Sequence, residues 1–209
     1  MGIVQFIKLA FIQGGFFMYA ILLISIFGLA IIIERFYKVG LKFRLNTEKF
    51  MADIMEFIKK GDIKKAIELC NRSDAILPLI IKPALLKNGK DPKEIQSTID
   101  EAVLEQMPNI SKRTDYLSMI ANVSTLMGLL GTILGLIQAF QAVGYADAAQ
   151  KGAMLAKGIS MALNTTAFGL IVAIPCMISF SLITAMSEQI MDDIDHSSIR
   201  IINLLSHKQ

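Results

Sequence analysis

The chain has 209 residues, of which 54% are hydrophobic, and a formal net charge of +3. This composition is too apolar for an ordinary soluble domain, and charge-free stretches alternate with a lysine-rich middle, as a bilayer requires. Sixteen of the 21 lysines and arginines lie between Arg35 and Arg113, interleaved with acidic residues. Such crowding in one segment indicates membrane topology and argues against nucleic acid as the partner.

The first charge-free run follows a short segment, residues 1–8, and covers residues 9–33. At about 1.5 Å per residue it is long enough to cross roughly 30 Å of hydrocarbon. The charged sequence from Glu34 to Lys38 follows it, where a signal peptide would have a small-residue cleavage site. The sequence therefore predicts an uncleaved first transmembrane helix.

The next segment, residues 34–115, is predicted to fold into helices outside the membrane. Thr47 is the expected cap of a helix that Gly61 and Asp62 end, before a second helix starts. Asp91-Pro92 has the pattern of a helix start. We expect Pro108 to kink that helix, which would reach Val143 if it continues into the second span.

Two further charge-free runs cover residues 116–146 and 158–187 and form the predicted second and third transmembrane helices. The connection between them, residues 147–157, is short, and a tail of residues 188–209 follows. Because the basic excess lies in residues 34–115, that segment and the tail are expected to be cytoplasmic. The amino terminus and the short loop are then periplasmic. The predicted fold is an all-α membrane protein whose second and third helices are long and extend into the cytoplasm.

Small residues follow a 3–4 spacing along the second and third spans, which places them on one face of each helix. The second seam includes Ala121, Thr125, Gly128, Thr132, Gly135, Ala139 and Ala142, and the third includes Ala162, Thr166, Gly169, Ala173 and Cys176. Such seams allow close helix contact in lipid. Two interpretations stay open: the seams pack against each other within one monomer, or part of each faces a shared pore.

Polar side chains also occur within these two spans, including Asn164, Thr165 and Thr166 in succession. Burying them in hydrocarbon is unfavourable without partners. No Asp, Glu, Lys, Arg or His lies in any of the three charge-free runs. An ion pump normally needs an ionisable group in the membrane. Either the chain moves no ion, or a second polypeptide supplies the carboxylate.

Two stretches, residues 124–140 (STLMGLLGTILGLIQAF) and residues 158–175 (GISMALNTTAFGLIVAIP), resemble the diagnostic sequences of the MotA/TolQ/ExbB proton channel family. The plan of three spans with a large cytoplasmic segment is similar to the ExbB and TolQ branch. MotA-type stators have four spans and fit less well.

The resemblance implies a homopentamer in the bacterial inner membrane. The pentamer would surround the single transmembrane helices of an ExbD- or TolR-like dimer, and an aspartate of that dimer would carry the proton. A TonB- or TolA-like protein would receive the force. Thr132 and Thr166 fall on the family's pore-facing threonines, and Thr165 and Asn164 are candidates beside them. The candidate packing residues are Gly128, Gly131, Gly135, Ala162, Gly169 and Ala173.

Two positions depart from the family pattern. Family members often have Pro where this chain has Thr125, and ExbB and TolQ commonly have Glu where it has Met161. A proton route through that glutamate is therefore not carried over, and the subfamily is not assigned. Proton and sodium are not distinguished.

The function that the resemblance implies is an energy-transducing channel subunit driven by proton motive force, and the sequence leaves other functions to consider. An oligomeric membrane scaffold that moves no ion is the first alternative. A secondary transporter fits poorly, because the chain has no internal repeat and no charged midplane site. An enzyme is not expected, because neither His196 nor His207 has a plausible catalytic partner. No cofactor is expected, and no metal-ligand spacing is present.

Overall fold

The computed structural model describes residues 15–43, 45–145, 147 and 149–206. The predicted segment 1–8, residues 9–14 of the predicted first span and residues 207–209 lie outside the described residues. Those that are described form seven α-helices and one π-helical segment and contain no strand. They are α1 (Gly15–Arg35), the π-helical segment (Phe36–Lys42), α2 (Thr47–Lys60), α3 (Ile63–Asn71), α4 (Ile76–Leu86), α5 (Pro92–Ser111), α6 (Asp115–Gly144) and α7 (Lys151–Ser206).

Three helical stretches, which contain α1, α6 and α7, are long and apolar enough to cross a membrane. The all-α fold class with three candidate spans is thereby confirmed. The last helix has 56 residues, about 84 Å at the standard rise, so it exceeds the thickness of the hydrocarbon core. The helix begins at Lys151, inside the predicted periplasmic loop of residues 147–157. This does not test the predicted span, because a transmembrane helix can extend beyond the membrane. The span boundaries and the side of each segment stay predictions.

Local sequence signals determine most helix ends in residues 34–115. Gly61 ends α2 in the left-handed conformation (φ 81°), and the Asp62 carboxylate accepts the Lys65 N–H at the start of α3. Asp91 caps α5, with Pro92 as its first residue. The expected cap at Thr47 is wrong by one position. Asn46 accepts the Lys49 N–H, while the Thr47 hydroxyl donates to Asp193 Oδ2 at 2.9 Å.

The helix that begins at Pro92 does not run unbroken to Val143. Pro108 lies inside α5, as expected, but the helix ends at Ser111 and α6 begins at Asp115. Between them Arg113 has φ 63°, a conformation that non-glycine residues rarely adopt. The interruption therefore separates α5 from the second candidate span.

The chain divides into two compact units, each with its own core. Among the described residues, the membrane unit contains 15–33 and those between 113 and 181, and its core includes Ile21, Ile120, Val172 and Cys176. The second unit contains those between 34 and 112 and between 182 and 206. In the second unit α2 packs on α3, α3 on α4 and α4 on α5. Aliphatic side chains such as Ile54 and Ile80 fill its interior.

A buried arginine stabilises one corner of the second unit. The Arg35 side chain is only 1% exposed. Its guanidinium donates to the carbonyl oxygen of Asn109 at 3.2 Å and to that of Ile110. These carbonyls belong to the last turn of α5, where backbone acceptors lack helical partners and the helix dipole is negative. Arg35 therefore both caps α5 and fixes the chain where α1 ends.

Replacing Arg35 by Met should lower the free energy of unfolding by about 2–3 kcal/mol, because charge-assisted bonds to two carbonyls in the last turn of a helix are lost. The measurement is the unfolding midpoint of the purified, detergent-solubilised chain. Arg72→Met is the matched control, since Arg72 forms only an exposed ion pair with Glu68, and such pairs contribute little. Equal midpoints for the two variants would contradict the capping role of Arg35.

Within the membrane unit, α6 and the first part of α7 approach each other backbone to backbone. A Cβ atom added to Gly128 would lie 3.1 Å from the Thr166 Cα, and one added to Gly135 would lie 3.3 Å from the Ala162 Cα. A Cβ on Gly169 would lie 2.6 Å from the carbonyl oxygen of Ser124. At Gly169 only hydrogen fits against the backbone oxygen, whereas a Cβ at Gly128 or Gly135 would force the facing helix to shift slightly.

The buried seam of α6 differs slightly from the predicted one. Gly128, Gly135 and Ala139 are buried as expected, but Ser124 and Gly131 are buried where the sequence pattern placed Thr125 and Thr132. Both rows satisfy the 3–4 spacing. The space beside α7 decides which row is buried. A Cβ on Gly131 would already collide with the Thr165 side chain, so the buried position accepts glycine and not the larger threonine. In α7, Ala162, Gly169, Ala173 and Cys176 are buried, and Thr165 joins them.

We expect Gly169→Ala to destabilise the hairpin by about 1–3 kcal/mol, because the new methyl group meets a rigid backbone oxygen. Gly152→Ala, in the same helix, is the control, since a Cβ there would have no atom within 4 Å. It should be neutral or stabilising by up to about 1 kcal/mol through helix propensity. Thermal unfolding in detergent compares the two. A Gly169→Ala chain as stable as the control would show that the close approach is not required.

Candidate ion-pathway site

Two adjacent threonines of α7 lie at the contact between the hairpin helices. The Thr166 hydroxyl donates to the Gly128 carbonyl oxygen at 2.8 Å, which links α7 to α6. The Thr165 side chain is 1% exposed, packs against Gly131 and donates to the Met161 carbonyl at 3.2 Å. Within one chain, therefore, Thr165 is a packing residue, and Thr166 is a partly buried residue at the edge of the contact.

Thr132 lies beside this contact rather than in it. It is partly exposed, and its hydroxyl donates to the Leu129 carbonyl of its own helix at 2.6 Å. Thr125, on the same flank of α6, is exposed and bonds similarly to the Ala121 carbonyl at 3.0 Å. Such bonds to the preceding turn satisfy a threonine hydroxyl without a second helix. Each oxygen keeps lone pairs that can accept a further hydrogen bond.

Polar amides also lie at the surface of the hairpin. Asn164 is partly exposed, and Asn122 and Gln138 are exposed. A carboxamide in hydrocarbon needs a hydrogen-bond partner, so a lipid environment is unfavourable for all three. Each of the three therefore requires protein or water beside it rather than acyl chains.

One buried hydroxyl belongs to a residue that the predicted seam did not include. Ser124 is fully buried, and its hydroxyl has no hydrogen-bond partner among the described residues. Its backbone oxygen is the atom that approaches Gly169 most closely. The choice between Ser124 and Thr125 as the buried residue depends on helix rotation, and both fit the sequence spacing.

The site offers neutral oxygen atoms and no carboxylate, basic or imidazole group. The described residues from Tyr116 to Tyr145 and the whole stretch from Gly158 to Ser187 contain no Asp, Glu, Lys, Arg or His. Hydroxyl, amide and carbonyl oxygens can hydrogen-bond a hydronium, a water or a carboxyl group, or coordinate a hard cation. They cannot relay a proton by changing their own charge near neutral pH.

Several proteins are similar to this chain. A putative biopolymer transport protein ExbB homolog of Methanothermobacter thermautotrophicus is 29% identical over 88% of this chain and 65% of its own length. A putative biopolymer transport protein ExbB-like 3 of Synechocystis is 29% identical over 79% of both chains. The Tol-Pal system protein TolQ of Haemophilus influenzae is 34% identical over 44% of this chain and 40% of its own length.

The region of family similarity covers both hairpin helices. Residues 69–196 match the MotA/TolQ/ExbB proton channel family. This range contains α4, α5 and α6, most of α7 and every candidate pore and packing residue. Together with the relatives, the match confirms the resemblance drawn from residues 124–140 and 158–175. The chain belongs to the MotA/TolQ/ExbB proton channel family and, within it, to the ExbB/TolQ-like branch.

Proposed function

We propose that this chain is the channel subunit of an energy-transducing complex that uses the proton motive force to power transport across, or work on, the outer envelope. One observation carries the proposal: the hairpin presents threonines and amides at its surface, while its charge-free runs hold no Asp, Glu, Lys, Arg or His. Such a chain can surround an ion path but cannot carry the proton itself. Its relatives include proteins named for biopolymer transport and for the Tol-Pal system.

The exposed polar side chains support an oligomeric ring. Asn122, Thr125 and Gln138 of α6 are exposed within one chain, and a neighbouring copy or a water-filled lumen would satisfy them. A heterologous contact repeated around an axis closes into a ring. On family grounds the proposed ring is a pentamer, with its polar faces toward the axis.

A partner helix supplies the missing charge in this proposal. An ExbD- or TolR-like protein would place one intramembrane aspartate inside the ring, where hydroxyls from successive subunits accept or donate hydrogen bonds as the carboxyl group changes protonation. Thr132 contributes a partly exposed hydroxyl, and Asn164 contributes an amide. Thr166 bonds the Gly128 carbonyl and Thr165 packs against Gly131. Both therefore hold the contact between α6 and α7, which positions Thr132 and Asn164. A TonB- or TolA-like protein would receive the work.

The structure's contacts also support the alternative function, an oligomeric membrane scaffold without ion flux. Gly128, Gly131 and Gly169 serve helix packing within one chain, and a scaffold needs nothing more. The two functions differ at Thr132, whose hydroxyl bonds only within its own helix turn. Removing that hydroxyl affects a channel but not a scaffold.

The proposed orientation places residues 34–115 and 188–209 in the cytoplasm of a bacterial cell and residues 147–157 in the periplasm. In a Cys176→Ser background, an impermeant maleimide added to intact spheroplasts should label Ala148→Cys and miss Lys60→Cys. The native Cys70 should stay unlabelled, because burial raises the pKa of its thiol to about 11, so that the reactive thiolate is scarce at neutral pH. After lysis Lys60→Cys should react, and the opposite pattern would refute the orientation.

Proton flux in liposomes tests the ion pathway. The chain alone should conduct little, and flux should appear with the aspartate-bearing partner and disappear when that aspartate is changed to Asn. Thr132→Val and Thr166→Val should each lower partner-dependent flux by roughly tenfold or more, because a positioned hydroxyl is replaced by a methyl group of similar size.

The control is Thr98→Val, which removes a hydroxyl that, like that of Thr132, bonds a carbonyl of its own helix's preceding turn, at Glu94, but lies in α5. All variants should assemble as the parent chain does in size-exclusion chromatography. Full flux from Thr132→Val would favour the scaffold, and strong flux from the chain alone would refute the need for a partner.

A further inference from the structure

A cavity of about 700 Å³ lies in the second unit, and its described lining includes none of the candidate pore residues. Its volume is in the range of small-molecule binding pockets. One wall comes from the π-helical segment, at Val39, Gly40 and Leu41, and the other from α7, between Met186 and Asp193. Leu77 of α4 and the start of α2 complete the lining. None of these residues has a role in the proposed channel.

The cavity is apolar on one side and acidic on the other. Val39, Leu77 and Ile190 provide aliphatic surface. Glu48 and Asp193 provide two carboxylates, and the described residues of the lining include no lysine or arginine. The Thr47 hydroxyl donates to one oxygen of Asp193, which holds that side chain in place. Such a lining suits an amphiphile with a positively charged head group.

The position along the chain is that of a membrane surface. Both walls belong to helices that leave apolar stretches: the π-helical segment directly continues α1, and Gln189 of α7 lies just beyond the third charge-free run. Phe36 and Tyr37 come one helical turn before the cavity and are exposed. Aromatic side chains concentrate at the membrane interface, at the level of lipid head groups. A lipid in the adjoining leaflet is therefore the nearest abundant amphiphile.

The backbone of this wall is also unusual. Residues Phe36–Lys42 form a π-helix, a conformation that is rare and frequently occurs at functional sites. Gly40 lies within it and lines the cavity, and a Cβ atom there would lie 3.9 Å from the Met186 sulfur. The absent side chain leaves the cavity open at this point.

We propose that this cavity binds an amine-headed phospholipid, phosphatidylethanolamine, from the cytoplasmic leaflet. The ammonium group donates hydrogen bonds to Glu48 and Asp193, and the start of an acyl chain lies against Val39, Leu77 and Ile190. An anionic head group without an amine would meet two carboxylates and be repelled. The site depends neither on a ring nor on ion flux, so it stands or falls independently of the proposed channel function.

The experiment measures which lipid the full chain retains. The chain is reconstituted in bilayers of equimolar phosphatidylethanolamine and phosphatidylglycerol with identical acyl chains, extracted in mild detergent and analysed by native mass spectrometry. We expect bound phosphatidylethanolamine to exceed phosphatidylglycerol roughly fivefold, as two partly exposed charge pairs would give. The double variant Glu48→Gln, Asp193→Asn should retain the two lipids equally. The Asp193→Asn change keeps a side-chain oxygen that can accept the hydrogen bond from the Thr47 hydroxyl.

The matched control is Asp192→Asn with Asp195→Asn, which removes the same charge from exposed positions of α7 outside the cavity. It should preserve the fivefold preference. A second pair avoids the charge change: Gly40→Ala adds only a methyl group that fits, whereas Gly40→Leu should obstruct this wall of the cavity and lower the retention of both lipids.

Three results would overturn the proposal. Equal retention of the two lipids by the parent chain would refute the role of the ammonium group. A preference that survives the double variant would place the lipid elsewhere. Absence of any retained lipid would mean that another occupant, such as a second copy of the chain, fills the cavity.

Discussion

The contact between α6 and α7 at Gly128 and Gly169 is the constraint on which the membrane unit depends. Lipid supplies no hydrophobic force between apolar helices, so their association relies on close packing and hydrogen bonds. Here the Gly169 position lies against the Ser124 carbonyl, and the Thr166 hydroxyl bonds the Gly128 carbonyl. The contact thus combines a close approach of the Gly169 and Ser124 backbones with a hydrogen bond from the Thr166 hydroxyl. In hydrocarbon that hydroxyl would be costly to leave without an acceptor.

This contact also determines which polar groups the hairpin presents outward. With Gly128 and Gly131 turned toward α7, the flank of α6 that carries Thr125 and Thr132 cannot be buried in the same interface. A rotation that buried Thr132 would separate the helices, because a threonine is larger than a glycine. Helix packing within one chain and an outward-facing row of hydroxyls are therefore consequences of the same rotation. The two interpretations of the small-residue seam do not exclude each other.

The sequence predicted the parts of this fold that follow from local chemistry. Charge-free runs located the three apolar helices, and Gly61, Asp62 and Asp91 located helix ends through caps that act within a few residues. Spacing alone could not choose between Thr132 of the predicted seam and Gly131, which was a candidate packing residue, because both satisfy the 3–4 pattern and the choice depends on the facing Thr165. The break at Arg113 was missed for a similar reason: no glycine or proline marks it, and Pro108 lies one turn earlier. The cavity beside Gly40 depends on side chains from distant segments, which no local pattern reveals.

Threonine instead of proline at position 125 affects the backbone geometry of α6. A proline there would lack the N–H that bonds the preceding turn and would bend the helix. With threonine, α6 is a regular α-helix from Asp115 to Gly144, and the Thr125 hydroxyl adds a bond to the Ala121 carbonyl. Met161, where relatives of this branch commonly have Glu, also removes a charge from the facing helix. Relative to that family pattern, both positions give neutral, regularly hydrogen-bonded helix, so the polar groups that the hairpin presents are its hydroxyls and amides.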